Sequence, residues 1–305
     1  MRAFFVLIVI ASVARQSQGE RHQQHCILAI ASSFLLAMTN VCILALPIAT
    51  IMKIKASLLL LAVCLFSSFT IFKDKKDLNI VFIGDSITYG AGLPDRNTQA
   101  PPVICADYLR KDGHFGNVDF SNQGHSGYTT LDWLPGTKAF ISAEAAAKAF
   151  GNQNAQLIFS IKIGTNDSAM HGPHGSPVSV ADYAANLKTI IDQLLKDFPG
   201  CKVVIEHPIW YSTNTYNGSM YLEEGLNRLE TYIPAMDELV KSYKATNPKQ
   251  VFVGDTKAFK YFKKNAETDF QHEHGHQGIF YLHPNPKGAV ALGDYWGKAI
   301  AKVVK

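Results

Sequence analysis

The sequence predicts an α/β domain over residues 78–305, a parallel sheet with helices on both faces. Three observations predict it. Short β-branched apolar runs alternate with longer segments of 3.6-residue periodicity. Gly and Pro punctuate many of the joints. No internal repeat or low-complexity linker breaks the alternation, so one domain of about 230 residues is expected.

Residues 78–84 (LNIVFIG) are an apolar run closed by glycine, as suits a strand covered on both faces. Residues 118–120 lead into a Gly-rich turn and form the second strand. Residues 155–163 (AQLIFSIKI), 202–205 (KVVI) and 251–253 (VFV) supply the third, fourth and fifth. The helix over 100–111 follows a Pro pair, which fits a first helical turn. The segment 130–150 carries Ala-Glu-Ala-Ala-Ala-Lys-Ala, a run of strong helix formers. Over 180–198, Tyr183, Leu187, Ile190, Ile191, Leu194, Leu195 and Phe198 fall on one stripe. Ser179 caps that helix, with Asp182 three residues on, and Pro199-Gly200 stops it. Helices over 221–244 and 287–304 complete the set.

The composition, 47% hydrophobic and 18% charged in 305 residues, excludes disorder and collagen-like structure. The net charge of +4 is unevenly placed. Residues 1–77 hold eight of the 29 Lys/Arg against three acids, leaving 21 against 22 in the domain. A near-neutral domain gives no support for a nucleic-acid partner.

The first quarter has apolar runs at 3–14, 26–52 and 56–72. The second is long enough to span a bilayer, so a membrane anchor of two or three spans is one reading. We prefer another. Met52 opens Met-Lys-Ile-Lys, followed by an apolar stretch and small residues, the grammar of a secretory signal peptide. Residues 1–51 are then an over-called upstream extension, 52–77 a signal peptide or N-terminal anchor, and 78–305 an extracytoplasmic domain. Val63 is bulkier than the position before a lipid-modified Cys64 usually tolerates. In the domain, Cys105 and Cys201 permit one disulfide or two buried thiols, and both readings stay open.

Ligands in such folds bind beyond the carboxyl ends of the strands. Those ends read Gly84-Asp85-Ser86, Asn122-Gln123-Gly124-His125-Ser126-Gly127 and Gly164-Thr165-Asn166-Asp167, and His283-Pro284-Asn285 precedes the last helix. Each alone is a turn. Together they supply what acyl transfer needs: a serine at a strand-to-helix turn as nucleophile, a glycine that lets backbone N–H groups approach an oxyanion, an asparagine donor, and a histidine base.

The four blocks, in this order, resemble the SGNH (GDSL) hydrolase family over nearly all of residues 78–300. The resemblance implies a three-layer α/β/α sandwich with a five-stranded parallel sheet, flavodoxin-like in layout. It implies Ser86 as nucleophile and Gly127, five residues after Asn122, as an oxyanion N–H beside that of Ser86. Asn166 is the third implied donor, and His283 the general base and then acid. No cofactor or metal is implied.

One departure matters. The family writes its last block Asp-x-x-His, whereas Phe280 stands three residues before His283. Asp255, Asp269, Glu273 or a backbone carbonyl could take the place of the missing acid, and loss of catalysis is a further reading. We expect an active Ser–His pair with a substitute acceptor, since a missing acid costs rate more than it abolishes function.

Residues 272–276, His-Glu-His-Gly-His, satisfy the zinc-peptidase pattern H-E-x-x-H. That pattern works on a helix, and Gly275 and Gly278 argue against one, so a solvated loop is expected. Asp85 is expected to stabilise its turn rather than to react. His207 is open between a structural and a substrate-facing role. Trp133, Trp210, Tyr211, Tyr216 and Tyr221 are either core or a sugar platform. The sequon Asn217-Gly218-Ser219 carries little weight.

The expected activity is therefore that of an extracytoplasmic serine esterase on a small-molecule or oligosaccharide ester, with O-acetyl groups of carbohydrate as substrate by resemblance to bacterial carbohydrate esterases. A lysophospholipase or thioesterase, a non-catalytic carbohydrate binder and a zinc hydrolase are the alternatives.

Overall fold

The computed structural model describes residues 75–305. The readings of the first 74 residues, including the signal peptide, the anchor and Cys64, lie outside the described residues. Among the described residues no helix is long and apolar enough to cross a membrane.

Five parallel strands, β1 (Lys76–Gly84), β2 (Phe115–Gly124), β3 (Gln156–Lys162), β4 (Lys202–Ile205) and β5 (Val251–Val253), form one sheet in the order β2-β1-β3-β4-β5. β1 lies between two neighbours, and it is buried from Leu78 to Gly84, as its unbroken apolar run requires. Side chains alternate between the faces of the sheet. Val81, Ile83, Phe159, Ile161, Val203 and Ile205 point to one core. Ile80, Phe82, Ile158 and Val204 point to the other.

The first core is covered by α4 (Lys138–Ala149), α5 (Val180–Asp197) and α6 (Leu222–Thr246), and the second by α3 (Pro101–Asp112) and α9 (Pro286–Val304). The three-layer arrangement follows. On the α5 stripe Tyr183, Leu187, Ile190, Ile191 and Leu194 are fully buried, and Leu195 and Phe198 partly so. Cutting Leu187 to Ala would remove about 2–5 kcal/mol. Short helices α1 (Ser86–Tyr89), α2 (Arg96–Gln99), α7 (Ala258–Lys264) and α8 (Ala266–Asp269) lie in the connections, and β6 (Glu273–Gly275) with β7 (Gly278–Phe280) forms an antiparallel hairpin.

Three sequence expectations need correction. β2 runs over ten residues rather than three. It is an edge strand, so Asp119, Ser121 and Gln123 could stay polar and hid its length from an apolar pattern. The segment 130–150 is not one helix. It opens as a 3-10 turn (Thr130–Trp133) and resumes as α4 only after Pro135-Gly136, where Gly136 has φ 87°. Residues 272–276 are not an irregular loop but enter the hairpin. Cys105 and Cys201 are buried free thiols.

Candidate active site

The ends of the three central strands are level. Gly84 is paired with Gly124 on one side and with Lys162 on the other. The chain segments that follow therefore leave the sheet side by side, which brings Ser86, the Gly127 loop and Asn166 to one edge.

Ser86 opens α1 directly after β1. Asp85 caps the helix, its Oδ1 accepting from the Ile87 N–H at 2.9 Å. Gly90, with φ 86°, ends it by donating to Ser86 and Ile87 carbonyls. Gly84 allows no side chain, since a Cβ there would collide with the Thr88 hydroxyl and the Lys162 carbonyl. Beneath the turn, Lys162 Nζ donates to Asp85 Oδ2 at 3.0 Å and to Thr165 Oγ1 at 2.8 Å. Both charged side chains are essentially inaccessible. Burial pulls the Lys162 ammonium down, and the Asp85 carboxylate opposes that pull. Asp85 thus stabilises its turn and is also half of a buried ion pair.

The second block is fastened to the first. Asn122 Nδ2 donates to the Thr88 carbonyl at 2.9 Å, and its Oδ1 accepts from the Gly124 N–H. The His125 N–H donates to the Gly84 carbonyl at 3.1 Å, and a turn follows to Tyr128. Gly127 sits in that turn, exposed, at φ 81°, a conformation that favours glycine. The Tyr128 carbonyl accepts from Asn166 Nδ2 at 2.8 Å. Asn166 Oδ1 accepts from the Tyr221 hydroxyl at 2.7 Å, which fixes the amide's orientation and leaves one N–H uncommitted.

His283 reaches Ser86 from the far side of the chain. Its Nε2 is 2.8 Å from Ser86 Oγ. Its Nδ1 is 3.0 Å from Glu273 Oε2, and its backbone N–H donates to Glu273 Oε1 at 3.0 Å. Of the candidate acceptors, Glu273 is therefore the one that faces His283. The hairpin pairs Glu273 with Phe280, so the carboxylate stands across the strands from the position where the family has aspartate. The other candidates are committed elsewhere. Asp255 accepts from the Lys257 and Ala258 N–H groups at the start of α7. Asp269 accepts from Thr268, Lys287 and Tyr261.

The histidines of residues 272–276 do not gather into a metal site among the described residues, since His272 and His276 lie outside the short strand at either end and have separate partners. His272 Nε2 contacts the Glu267 carbonyl, and His276 packs against the Tyr216 ring. Glu273 turns to His283, so the zinc-peptidase geometry is not formed. His207 is buried and bonded to Asp237, a structural role. Trp133, Tyr211 and Tyr221 are core, whereas Tyr216 and Trp210 keep partial exposure. The sequence reading missed Lys162 and the Tyr221–Asn166 bond. A lone lysine inside an apolar strand was the available signal for the first.

A family model described as GDSL-like lipase/acylhydrolase matches residues 82–291. Comparison with curated proteins finds no match. Among solved structures, a carbohydrate acetylesterase from Sinorhizobium meliloti is 17% identical, with a TM-score of 0.50, covering 74% of this chain and 99% of its own. A lipase/acylhydrolase from Enterococcus faecalis is 20% identical, with a TM-score of 0.50, covering 74% and 97%. An aryl esterase from M. smegmatis is 16% identical, with a TM-score of 0.50, covering 74% and 99%. These likenesses carry the fold, and the family match carries the chemistry class. With its blocks placed on one edge of such a sheet, the chain belongs to the GDSL-like lipase/acylhydrolase family of ester hydrolases.

Proposed function

We propose that this protein is a serine esterase that removes O-acetyl groups from carbohydrate. The observation that carries the reading is the unbroken hydrogen-bonded series Glu273–His283–Ser86. Ser86 Oγ attacks the ester carbonyl while its proton passes to His283 Nε2. The negative oxygen is held by the Ser86 and Gly127 N–H groups and the free N–H of Asn166. The bond to the sugar oxygen breaks as His283 returns the proton to that oxygen, leaving acetyl-Ser86. Water then attacks, giving up a proton to His283, and acetate leaves as the proton returns to Ser86. Glu273 accepts the Nδ1–H throughout and stabilises the imidazolium. With that acceptor in place, Phe280 gives no ground for a non-catalytic reading.

Sugar acetates are favoured by the partial exposure that Trp210 and Tyr216 keep in the segment after β4, and by a fold similar to that of a carbohydrate acetylesterase. The Met52 segment supports action outside the cytoplasm, which N-terminal sequencing of native protein would test. A fluorophosphonate probe tests the mechanism. Wild type is expected to be labelled and Ser86→Ala to stay blank, with acetate release from acetylated sugar lost in parallel. Equal labelling of both, or of neither, would overturn the reading.

A further inference from the structure

Beside the active site lies a groove of about 330 Å³. It is bounded by Tyr89, which ends the helix that Ser86 begins, and by His125, two residues before Gly127. One helical turn separates Ser86 from Tyr89, about 5 Å along the axis. Ser86, Gly127, Asn166 and His283 do not line the groove, which lies next to the acyl-transfer site rather than within it. An acetyl group occupies little of such a volume, which is at the lower end for ligand pockets. The alcohol half of an ester fits it better.

The wall opposite β2 is α2. Asp95 caps this short helix, accepting from the Asn97 N–H at 3.0 Å and from the Thr98 hydroxyl at 2.8 Å. Gln99 Oε1 accepts from the Asp95 N–H at 3.2 Å. Asp95, the acid next to Arg96 in the chain, is thereby committed to the turn. Arg96 lays its guanidinium over the Tyr89 ring, with Cζ 4.1 Å from the centroid. Its five N–H donors make no hydrogen bond or ion pair among the described residues. The Asn97 amide beside it is likewise unbonded there. On the other wall, Ser142 Oγ and Gln123 are bonded to one another and present a second polar edge.

We infer that this groove is a subsite for an acidic sugar, with the Arg96 guanidinium receiving the carboxylate of a uronate-type residue whose O-acetyl group is presented to Ser86. The inference rests on the esterase reading and names its substrate class. The exposed Arg96 guanidinium has no protein partner and matches a carboxylate in charge and fork geometry, whereas a neutral sugar offers it hydroxyl acceptors without the charge. The aromatic face under Arg96 holds the fork in place at little conformational cost. Asn97 and Gln123 are suited to sugar hydroxyls.

The test uses peracetylated glucuronic acid and its methyl ester, which differ by the carboxylate charge and one methyl group. Binding is first measured calorimetrically on Ser86→Ala, where no turnover occurs. The free acid is expected to bind about tenfold tighter than the methyl ester, as one charge-assisted contact gives. Adding Arg96→Met should bring the two to equality, and Arg96→Lys should restore part of the difference. Equal binding of acid and ester, absence of binding by both, or a preference that survives Arg96→Met overturns the subsite. Turnover by otherwise wild-type protein is the second readout. Arg96→Met should erase the preference for the acid over the methyl ester, mainly through KM. A protein that binds the acid through Arg96 yet releases no acetate from any ester would instead remove the esterase reading.

Discussion

Ser86 and His283 meet at 2.8 Å, yet the two sides of that contact are held by different means. On the serine side the support is interior. Asp85 and Lys162 have side-chain exposures of 0% and 1%, and both elements that carry them belong to the central sheet or its immediate turn. On the histidine side the support is at the surface. Glu273 and His283 keep 22% and 15% exposure, and a two-stranded hairpin carries the acid. A buried ion pair is costly to form and more costly to break singly. A partly exposed carboxylate contributes little to folding. The support beneath Ser86 should therefore be inseparable from stability, and the support of His283 should be nearly independent of it.

The largest expected effect lies where the two sides meet. Ser86→Ala should lower acetyl-ester turnover by about 10⁴-fold or more with an unchanged melting temperature, since it removes the nucleophile and nothing structural. Glu273→Gln comes next. It should cost about 10²- to 10⁴-fold in kcat with little change in KM. Its thermal stability should stay within about 1 kcal/mol of wild type. Asp255→Asn and Asp269→Asn should keep most of the rate, and a loss equal to that of Glu273→Gln in either would move the acceptor elsewhere.

The interior side is broken by Lys162→Met, which strands the Asp85 carboxylate. Chemical denaturation should show a loss of about 3–5 kcal/mol. The double variant with Asp85→Asn should recover part of it, and a fully additive double loss would refute the pairing argument. The smallest effect is a slope. Glu206 follows β4 on the same buried face as Lys162, and burial pushes its carboxyl up from 4.5 to about 8. The folded protein keeps a proton that the unfolded chain releases above about pH 4.5. This contribution to stability is complete below that pH and declines as pH rises through 8. Glu206→Gln should flatten the fall in melting temperature across that window.

The same division separates what the sequence discloses from what it conceals. β1 and β3 are legible because both faces are buried, so their runs are continuous. The α5 stripe is legible because one face is. The Ser86, Asn166 and His283 blocks stand in plain sight as short, ordered motifs. β2 is concealed because an edge strand tolerates Asp119 and Gln123. The hairpin is concealed because three-residue strands leave no period to detect, and Glu273 could be named only as one of three acids. Lys162 was visible as an oddity in IFSIKI, but its partner is 77 residues away and only the sheet register joins them. Pro135-Gly136 was a stop signal that the Ala-rich run after it outweighed.

The pairing of Glu273 with Phe280 also ties the Glu273–His283 contact to strand register. A hairpin of period two has only two settings for any side chain, toward one face or the other. Inserting a single residue between Glu273 and His274, with the His274 and Gly275 pairings kept, would change no side chain of the site and disturb little of the core. It would nevertheless rotate Glu273 away from His283 and leave the imidazole without its acceptor. The contact that orients His283 is thus subject to a parity rule, enforced by the register of two three-residue strands.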